Sequence, residues 1–435
     1  MLGLSYLLFF AALVVCLVTG TPIAWALLVG LGAFWCYGRQ RGFKRRELAS
    51  MAWAELKKAL IVVVVVFLIG VITGLWRASG TITYAIIKGM ELVTPRLFLV
   101  IAFLLCAALS YVLGTSFGVA STMGVILMAL ARSGGVDIAI TAGVVLSGIY
   151  FGDRCSPASS AASLVAAVTE TKLYDNVRLM LRTGLLPTLV TIAVYTVLSL
   201  FHPITAVDEG VLNALGSAFT ISWTALLPAV VMFVLPLCKV SIRITMLCSI
   251  AVAAVIAFAV QGFSIPEILS IAWGGYHPED PALAAVLSGG GIVSMVDSYL
   301  IVSLAGMYSG ILKGTGALDS LEETSAALAR RIGRFPAMVV VTTLCASVLC
   351  NQAVTSMLGT QLMRGSDEDK RELAQDMENS GIMIAGLIPW SIACSVPLAM
   401  LGSDLRSIPY AVLLWATPLC YGLTKRYFFP EGSKL

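Results

Sequence analysis

Long stretches without a charged side chain are the feature that most restricts how this chain can fold. Such runs cover residues 1–38, 59–76, 97–131, 183–207, 211–238, 335–363 and 379–403. A helix crosses the hydrocarbon core of a bilayer with about 20 apolar residues, so each run is long enough to span a membrane. Only 12% of the 435 residues are charged, against about a quarter in soluble domains, and a water-soluble fold is therefore excluded.

The runs predict a helical bundle. Backbone groups in lipid must be paired within the protein, and the alternating pattern of barrel strands is missing. We expect an all-α polytopic membrane protein with roughly ten to thirteen membrane segments, some of them broken. Residues 1–20 lack the basic start of a signal peptide and are interpreted as the first membrane helix.

Charge distribution predicts the topology. Basic residues cluster at 39–46, 172–182, 330–334 and 425–426, and the positive-inside rule assigns these clusters to the cytoplasm. Residues 202–216 contain Asp208 and Glu209 but no Lys or Arg, which indicates an external loop. Residues 364–378 are interpreted as a soluble excursion of mixed charge. The ten cysteines lie mostly in apolar runs and are expected to be packing thiols.

An internal repeat organises the chain. Residues 118–128 (GVASTMGVILM) align without gaps to residues 353–363 (AVTSMLGTQLM), with five identities in eleven positions. Matches continue in the same order upstream, at 105–107 and 344–346, and downstream, at 147–149 and 380–382. We therefore predict N-terminal helices and a basic loop at 1–57, a first repeat at 58–207, a connecting segment at 208–241 and a second repeat at 242–435.

Short apolar segments interrupted by glycine or proline mark the binding site of transporters built from inverted repeats. Here they are 114–122 (GTSFGVAST) and 152–163 (GDRCSPASSAAS), with counterparts at 350–356 (CNQAVTS) and 378–391 (ENSGIMIAGLIPWS). Glycine and proline disfavour a continuous helix. We expect broken or re-entrant helices whose freed backbone groups face a substrate cavity.

Three acidic residues are candidates for ion coupling, because a carboxylate in a membrane segment is costly and usually functional. Asp153 follows an apolar run; alternatively it pairs with Arg154 at an interfacial helix end. Asp297 is isolated between two uncharged runs and follows the loop sequence SGGG at 288–291; alternatively it reaches an aqueous vestibule or bonds a neighbouring helix. Glu378 enters a membrane segment, where capping of a helix N-terminus competes with ion coupling.

Polar uncharged residues of the broken segments are the candidate ligands for substrate or cation. Asn351 and Gln352 either coordinate the substrate or form interhelical hydrogen bonds. In the ungapped alignment they lie opposite Ser116 and Phe117. Trp390 either packs over a substrate or anchors the chain at the interface. The candidate binding residues are Thr115, Ser116, Asp153, Ser156, Ser159, Ser160, Asp297, Asn351, Gln352, Thr355, Glu378 and Ser380, and a Na+ site is predicted at Asp153, Ser156 and Asn351.

The segments GTSFGVASTMGVILM and GDRCSPASSAASL, followed by NQ and ENSGIMIAGLIPWS, resemble the NhaC family of sodium/proton antiporters over about residues 97–422. The resemblance implies a transporter with inverted repeats, and some relatives exchange organic acids such as malate and lactate. The positions that match the family pattern are Gly114, Thr115, Ser116, Phe117, Gly118, Gly152, Asp153, Ser156, Pro157, Ser159, Ser380, Gly381, Pro389 and Trp390.

Two carboxylates of the family pattern are missing. Ser160 replaces an aspartate, Ser163 replaces an asparagine, and Glu378-Asn379 replaces a Glu-Asp pair. Proton exchange needs a group that titrates, which leaves Asp153, Asp297 and Glu378 to provide it. The departures favour an organic cargo, such as an amino acid or carboxylate held by serines and helix N-termini.

The sequence therefore predicts a secondary transporter that exchanges Na+ for H+ by alternating access at a central site. Coupled transport of a small organic solute is the alternative. Nothing resembles a channel filter, HExxH is absent, and the two histidines lie outside the motif segments, so an enzyme is not expected. We expect no cofactor, Na+ and H+ as coupling ions, membrane lipid as the environment and no nucleic-acid partner. A homodimer is expected only by analogy, and the predicted location is the cell membrane, as a multi-pass protein of the bacterial inner membrane.

Overall fold

The computed structural model describes residues 2–92, 95–204, 215–238, 240–317, 321–364 and 369–429, and these residues form an all-α protein. Within these ranges the only β pairing is an isolated antiparallel bridge between Tyr276 and Gly289. The predicted external loop, including Asp208 and Glu209, lies mostly outside the described residues.

The helices are, in chain order, α1 (Leu2–Thr19), α2 (Ala24–Gln40), α3 (Arg45–Ala78), α4 (Thr81–Leu92), α5 (Phe98–Leu113), α6 (Ser116–Ser133), α7 (Ile138–Cys155), α8 (Ser160–Val168), α9 (Leu173–Thr183), α10 (Leu185–Phe201), α11 (Leu227–Leu237), α12 (Ile242–Ala259), α13 (Ile265–Gly274), α14 (Pro281–Leu287), α15 (Val296–Gly314), α16 (Leu321–Ile332), α17 (Arg334–Leu349), α18 (Gln352–Met363), α19 (Lys370–Asn379), α20 (Gly381–Ala385), α21 (Ile392–Leu401) and α22 (Val412–Phe428).

Several helices are long and apolar enough to cross a membrane. Within the described ranges, six meet this test: α1, α3, α6, α7, α12 and the segment Ile292–Gly314 that contains α15. The pair α9 and α10, bent by 45°, gives a seventh candidate. Four shorter apolar segments, Phe98–Leu113, Trp223–Pro236, Arg334–Leu349 and Ile392–Leu401, do not reach full length. Several apolar runs therefore form helices that are shorter than a full membrane span.

The chain forms two compact units. The first unit comprises Met1–Val66, Leu164–Thr171 and Val296–Ser395, and the second comprises Phe67–Ser163, Lys172–Met295 and Val396–Leu435. The repeats predicted from the sequence are continuous stretches of chain, whereas each compact unit combines several separate stretches. The repeat boundaries therefore stay a prediction.

An aromatic cluster forms part of the core of the first unit. The rings of Phe9 and Phe34 lie 5.6 and 5.7 Å from the ring of Tyr308, which joins α1 and α2 to α15. All three side chains are fully buried. The Tyr308 hydroxyl lies 2.6 Å from the Cys350 sulfur, so the cluster extends to the junction between α17 and α18.

A buried tyrosine organises the second unit. The Tyr195 hydroxyl on α10 has two acceptors within hydrogen-bond distance. These are the Ser147 hydroxyl on α7 at 2.6 Å and the Tyr410 carbonyl at 2.8 Å. The Tyr195 hydroxyl also accepts from the Val412 N–H at 3.2 Å, and Ser147 accepts from Leu413. The first N–H groups of α22 have no partner within the helix, so these two side chains hold its N-terminus.

Small residues bring α5 and α7 together. A Cβ added to Gly152 would lie 1.9 Å from the Ser110 carbonyl carbon, and one added to Gly148 would lie 2.4 Å from the Cys106 Cβ. The four-residue spacing of Gly148 and Gly152 places both on one face of α7, as in close-packed membrane helix pairs. The Ser110 hydroxyl donates to the Ile149 carbonyl across this contact.

All ten cysteines are free thiols. Six are buried, as expected for packing thiols, but Cys36 and Cys238 are exposed. The packing interpretation is therefore wrong for these two side chains.

Candidate functional site

The first helix break lies in the second unit, between α5 and α6. Gly114 ends α5 in the left-handed conformation, with φ 65° and ψ 25°. Thr115 follows in an extended conformation, with φ −142° and ψ 122°, and its side chain accepts a hydrogen bond from the Gly118 N–H at 3.3 Å. The chain thus ends one helix and starts another within two residues.

The first unit contains the same junction between α17 and α18. Cys350 is left-handed, with φ 53° and ψ 18°. Asn351 is extended, with φ −138° and ψ 120°, and its side chain accepts from the Val354 N–H at 3.2 Å. Conformation and capping pattern are therefore repeated, although the residue types differ.

The structural match changes the register expected from the sequence. The ungapped alignment placed Asn351 opposite Ser116, whereas the two junctions pair Asn351 with Thr115. The first half thus has one residue more between its cap and the aligned Gly124. A π-helical turn at Ala120–Gly124 accommodates such an extra residue. Both halves therefore cap the helix that follows with a polar side chain.

A second pair of breaks is also repeated. The Ser159 N–H donates to the Ser156 carbonyl at 3.1 Å, and the Ser391 N–H donates to the Ile388 carbonyl at 2.9 Å. The Ser159 and Ser391 hydroxyls both accept from backbone N–H groups of the helix that follows. One turn later, the hydroxyls of residues 163 and 395 donate back to the carbonyls of these serines.

Within each unit, the two breaks lie against each other. In the second unit, a Cβ on Gly114 would lie 2.4 Å from the Ala158 carbonyl carbon. In the first unit, the Ile392 N–H donates to the Cys350 carbonyl at 2.9 Å. Each unit thus brings two helix C-termini and two helix N-termini together. The partial charges of these helix ends favour ions and ionisable groups.

Asp153 lies beside the second break of its unit. It occupies the last turn of α7, is only 5% exposed, and its carbonyl accepts from the Ser159 hydroxyl. A carboxylate near a helix C-terminus is electrostatically unfavourable, and burial adds a desolvation cost. A bound cation or proton would offset both costs.

Arg154, the neighbour of Asp153 in the chain, contacts the end of α9. Its guanidinium is buried and donates to the Met180 carbonyl at 3.2 Å and to the Thr183 hydroxyl at 2.9 Å. These groups end α9, where a cation is favourable. Arg154 therefore ties α7 to the C-terminus of α9 inside the second unit.

The candidate hydroxyl residues of the second unit divide by burial. Ser156 and Ser159 are fully buried, and Ser116 is 7% exposed. Thr115 is half-buried, and Ser160 is exposed. Ser156 and Ser159 are thus the predicted ligands that share the buried environment of Asp153.

Polar residues at the two breaks of the first unit are mostly engaged with backbone groups. The Gln352 side chain donates to the Ile382 carbonyl at 3.1 Å, as in the interhelical alternative. The Trp390 indole donates to the Ser347 carbonyl at 2.7 Å. Thr355 is fully buried, and its hydroxyl has no hydrogen-bond partner among the residues that the structure describes. A buried hydroxyl without a partner is a candidate ligand.

The end of α19 forms a buried polar segment. Gln375, Asp376, Glu378, Asn379 and Ser380 are all fully buried. The predicted soluble excursion is wrong for residues 373–378, because burial begins at Leu373. The proposed N-terminal capping role of Glu378 is also wrong, because Glu378 lies in the last turn of α19 and Ser380 precedes α20.

Asp376 is a buried acid that the sequence analysis missed. It lies within the mixed-charge stretch RELAQDME, which looks like a solvated helix. Its charge acts on Arg334 at the start of α17, and its carbonyl accepts from the Ser380 hydroxyl. Helical periodicity was the available signal, since Leu373, Asp376 and Met377 share a face.

Asp297 differs from these acids in its exposure. It is exposed, in the first turn of α15, where an acidic residue is favourable for the helix dipole. Its role in ion coupling stays a prediction.

The described residues contain no group of three His, Cys, Asp or Glu side chains that could hold a metal ion. A transported Na+ needs hard oxygen ligands. The second break of the second unit offers such ligands in the buried Asp153 carboxylate, serine hydroxyls and backbone carbonyls.

Comparison with known proteins gives matches over nearly the whole chain. The malate-2H+/Na+-lactate antiporter of Bacillus subtilis (strain 168) is 26% identical over 417 residues, covering 93% of this chain and 89% of that protein. The Na+/H+ antiporter NhaC of Alkalihalophilus pseudofirmus is 24% identical over 393 residues, covering 88% and 85%. The arginine/ornithine antiporter ArcD of Halobacterium salinarum is 26% identical over 403 residues, covering 89% and 82%.

The model of the Na+/H+ antiporter family matches residues 148–424. This range contains Asp153, the second break of the second unit and both breaks of the first unit. Since the match covers more than half of a polytopic helical chain, this protein belongs to the Na+/H+ antiporter family.

Proposed function

We propose that this protein exchanges Na+ for H+ across the cell membrane by alternating access, with Asp153 as the group that binds either ion. The observation that carries the proposal is the burial of Asp153 in the last turn of α7, immediately before the break at Ser156–Ser159. If Na+ and H+ exclude each other from one carboxylate, the outward movement of one ion requires the inward movement of the other.

Oxygen atoms around this carboxylate complete the proposed Na+ site. Na+ prefers hard oxygen ligands, and Ser156 and Ser159 contribute buried hydroxyls in the same segment. The first unit carries candidate ligands of its own, which are Asn351, Thr355 and Glu378. Thr355 is the strongest of these, because its buried hydroxyl is without a partner among the described residues.

Proteoliposomes test this assignment. With the purified full chain, an imposed Na+ gradient should drive H+ movement, detected by an internal pH dye. Asp153→Asn should reduce this exchange to the level of empty liposomes, because the amide cannot carry a proton. The matched control is Asp175→Asn, at an exposed aspartate in the first turn of α9, which should keep wild-type exchange.

Folding of each variant is checked by its elution profile and its thermal unfolding midpoint. Wild-type exchange by a folded Asp153→Asn protein would remove Asp153 from the mechanism. Ser156→Ala should keep exchange but require a higher Na+ concentration for the half-maximal rate, because it removes only one oxygen ligand.

An organic cargo is the second candidate function. The relatives named for malate and lactate or for arginine and ornithine are as similar to this chain as the relative named for Na+ and H+. Exchange of labelled malate, lactate or arginine across the same proteoliposomes tests this form of antiport. Uptake that depends on an internal organic solute would support it, and uptake equal to that of empty liposomes would reject it.

A further inference from the structure

The glycine-rich loop at Ser288–Gly291 lies against the backbone of α3 within the second unit. Gly289, Gly290 and Gly291 have φ values of 123°, 78° and 80°, which favour glycine. The Gly291 N–H donates to the Gly70 carbonyl at 2.7 Å. A Cβ on Gly290 would lie 2.4 Å from the Gly74 nitrogen, so only glycine allows this close approach.

This loop borders a buried arginine. Arg77 lies in the last turn of α3 and is 8% exposed. Its Nη1 donates to the Thr73 carbonyl, whereas its Nε is fully buried and has no hydrogen-bond partner among the described residues. The guanidinium is therefore only partly satisfied by the protein.

Among the residues that the structure describes, the electrostatic surroundings do not compensate the charge of Arg77. The charged group found to act on it is Arg132, which is also a cation. The Arg132 guanidinium itself donates to the carbonyls of Leu401 and Gly402. Arginine keeps its proton in proteins, so a buried arginine beside another cation needs an anion.

Gly289 of the loop approaches the guanidinium without crowding it. A Cβ added to Gly289 would lie 3.8 Å from the Arg77 Nη2 and 4.0 Å from its Cζ, and would meet no other atom within 4 Å. Nε and Nη2 form one edge of the guanidinium, which matches the two oxygens of a carboxylate. The bond to Thr73 uses the remaining nitrogen.

We propose that Arg77 and the Ser288–Gly291 loop form a binding site for the carboxylate of a small organic anion. The Nε–Nη2 edge of Arg77 binds the carboxylate, Arg132 adds positive potential, and the loop covers the ligand. This inference extends the proposed function, and it rests on the organic-solute form of that function for the identity of its ligand.

Thermal unfolding of the purified full chain tests the site. The sodium salts of lactate and malate are compared with sodium chloride at equal Na+ concentration and ionic strength. The carboxylates should raise the unfolding midpoint of the wild-type protein above its value in chloride, because binding to the folded state stabilises it. Equal midpoints in all three salts would overturn the proposal.

Variants of Arg77 test whether the stabilisation by carboxylates depends on this side chain. Arg77→Gln should weaken carboxylate binding by about tenfold or more, because a charge-assisted pair of hydrogen bonds is lost. Arg77→Lys should bind more weakly than wild type, because it keeps the charge but not the planar edge. The matched control is Arg243→Gln, at an exposed arginine on α12, which should bind as wild type. Wild-type binding by Arg77→Gln would overturn the assignment.

The ligand-free midpoint separates a binding role from a structural one. Removal of a buried, partly unpaired charge should leave the midpoint of Arg77→Gln at or above that of wild type. A large fall without ligand would identify Arg77 as a structural group and overturn the proposal.

Two measurements keep this inference distinct from Na+/H+ exchange. Arg77→Gln should retain Na+-driven H+ movement in the absence of carboxylates, whereas Asp153→Asn should lose it. Carboxylate binding that depends on Arg77 in a protein without Na+/H+ exchange would reject the Na+/H+ proposal and support the anion site.

Discussion

At the scale of single residues, the two helix breaks reach the same backbone conformation with different side chains. Gly114 adopts its left-handed conformation without strain. Cys350 is one of two non-glycine residues with positive φ among the described residues, and such a residue costs roughly 1–2 kcal/mol. Its full burial and its contact with the Tyr308 hydroxyl help to hold it in place.

Gly114→Ala should destabilise the protein more than Gly20→Ala. Both glycines have positive φ, so both substitutions carry about 1 kcal/mol or more of backbone strain. A Cβ on Gly20 meets nothing within 4 Å, whereas one on Gly114 would lie 2.4 Å from the Ala158 backbone. Overpacking adds about 1–3 kcal/mol. Thermal unfolding of both variants measures the difference, and equal losses would contradict this account of the break.

Prediction from sequence succeeded where a residue type was unusual for its surroundings. Asp153 stood out beside an apolar run, and the structure places it at a buried helix end. Asp376 did not stand out, because neighbouring charges concealed the buried face of α19. Arg77 ends the apolar run at 59–76 and looks like an ordinary helix boundary. Only the structure, which places the loop glycines and Arg132 near Arg77, distinguishes it from an ordinary helix boundary.

At the scale of helices, the sequence located the breaks but not their register. Glycine, proline and serine disfavour continuous helices. These residues identified the four interrupted segments in the sequence. The equivalence of Thr115 and Asn351 depends on shared backbone angles and capping bonds. A π turn shifts the register by one residue without a sequence signal. Identity alone therefore could not align the two junctions.

The contact between α5 and α7 gives a prediction at this scale. Gly152→Ala should lower stability by about 2 kcal/mol or more, because the new Cβ would lie 1.9 Å from the Ser110 backbone. The matched control is Gly32→Ala on α2, where a Cβ meets nothing within 4 Å. The control should be neutral or slightly stabilising. Comparable unfolding midpoints for the two variants would show that α5 and α7 tolerate a wider separation.

A polar contact outside the membrane helices ties the end of the α8 segment to the α18–α19 connection within the first unit. Lys370 donates a hydrogen bond to the Glu170 carboxylate, and Arg364 lies 3.6 Å from the same carboxylate. The Lys370 hydrogen bond, with the charges of Lys370 and Arg364, lowers the pKa of Glu170. The pair is exposed, so its effect on stability is small and salt-sensitive.

Glu170→Gln should therefore lower the thermal midpoint slightly at neutral pH. The lowered folded pKa means that the ionised carboxylate stabilises the folded state above its unfolded pKa, and this contribution is lost as the pH falls through the folded value. The difference between wild type and variant should shrink below about pH 4 and also in high salt. Glu279→Gln, at an exposed glutamate, is the control. A difference that grows in acid would contradict the assigned ion pairing.

At the scale of the whole molecule, chain order and compactness divide the protein differently. The first unit combines the N-terminal helices with residues 164–171 and 296–395, a grouping that no composition shift in the sequence marks. Apolar membrane helices associate through packing of small residues, and small residues occur throughout this chain. The repeated double breaks, by contrast, could be found from sequence because each repeats the same interruptions.

Binding of Na+ by the full chain gives the last prediction. Na+ should raise the thermal unfolding midpoint, because a ligand at a hundred times its Kd stabilises the folded state by about 2.7 kcal/mol. The shift should shrink at lower pH, because H+ competes for the same carboxylate. Asp153→Asn should abolish the shift, and Asp175→Asn should retain it.

Glu378→Gln tests whether Na+ binding also depends on the buried carboxylate of the first unit. Glu378 is fully buried in the last turn of α19, so a Na+ ligand there would carry part of the binding free energy. If both Asp153→Asn and Glu378→Gln abolish the rise in unfolding midpoint caused by Na+, Na+ binding depends on both carboxylates. Loss in Asp153→Asn alone would assign the Na+ site to the second unit. A shift that is independent of pH and survives both substitutions would reject competition between Na+ and H+ at either carboxylate.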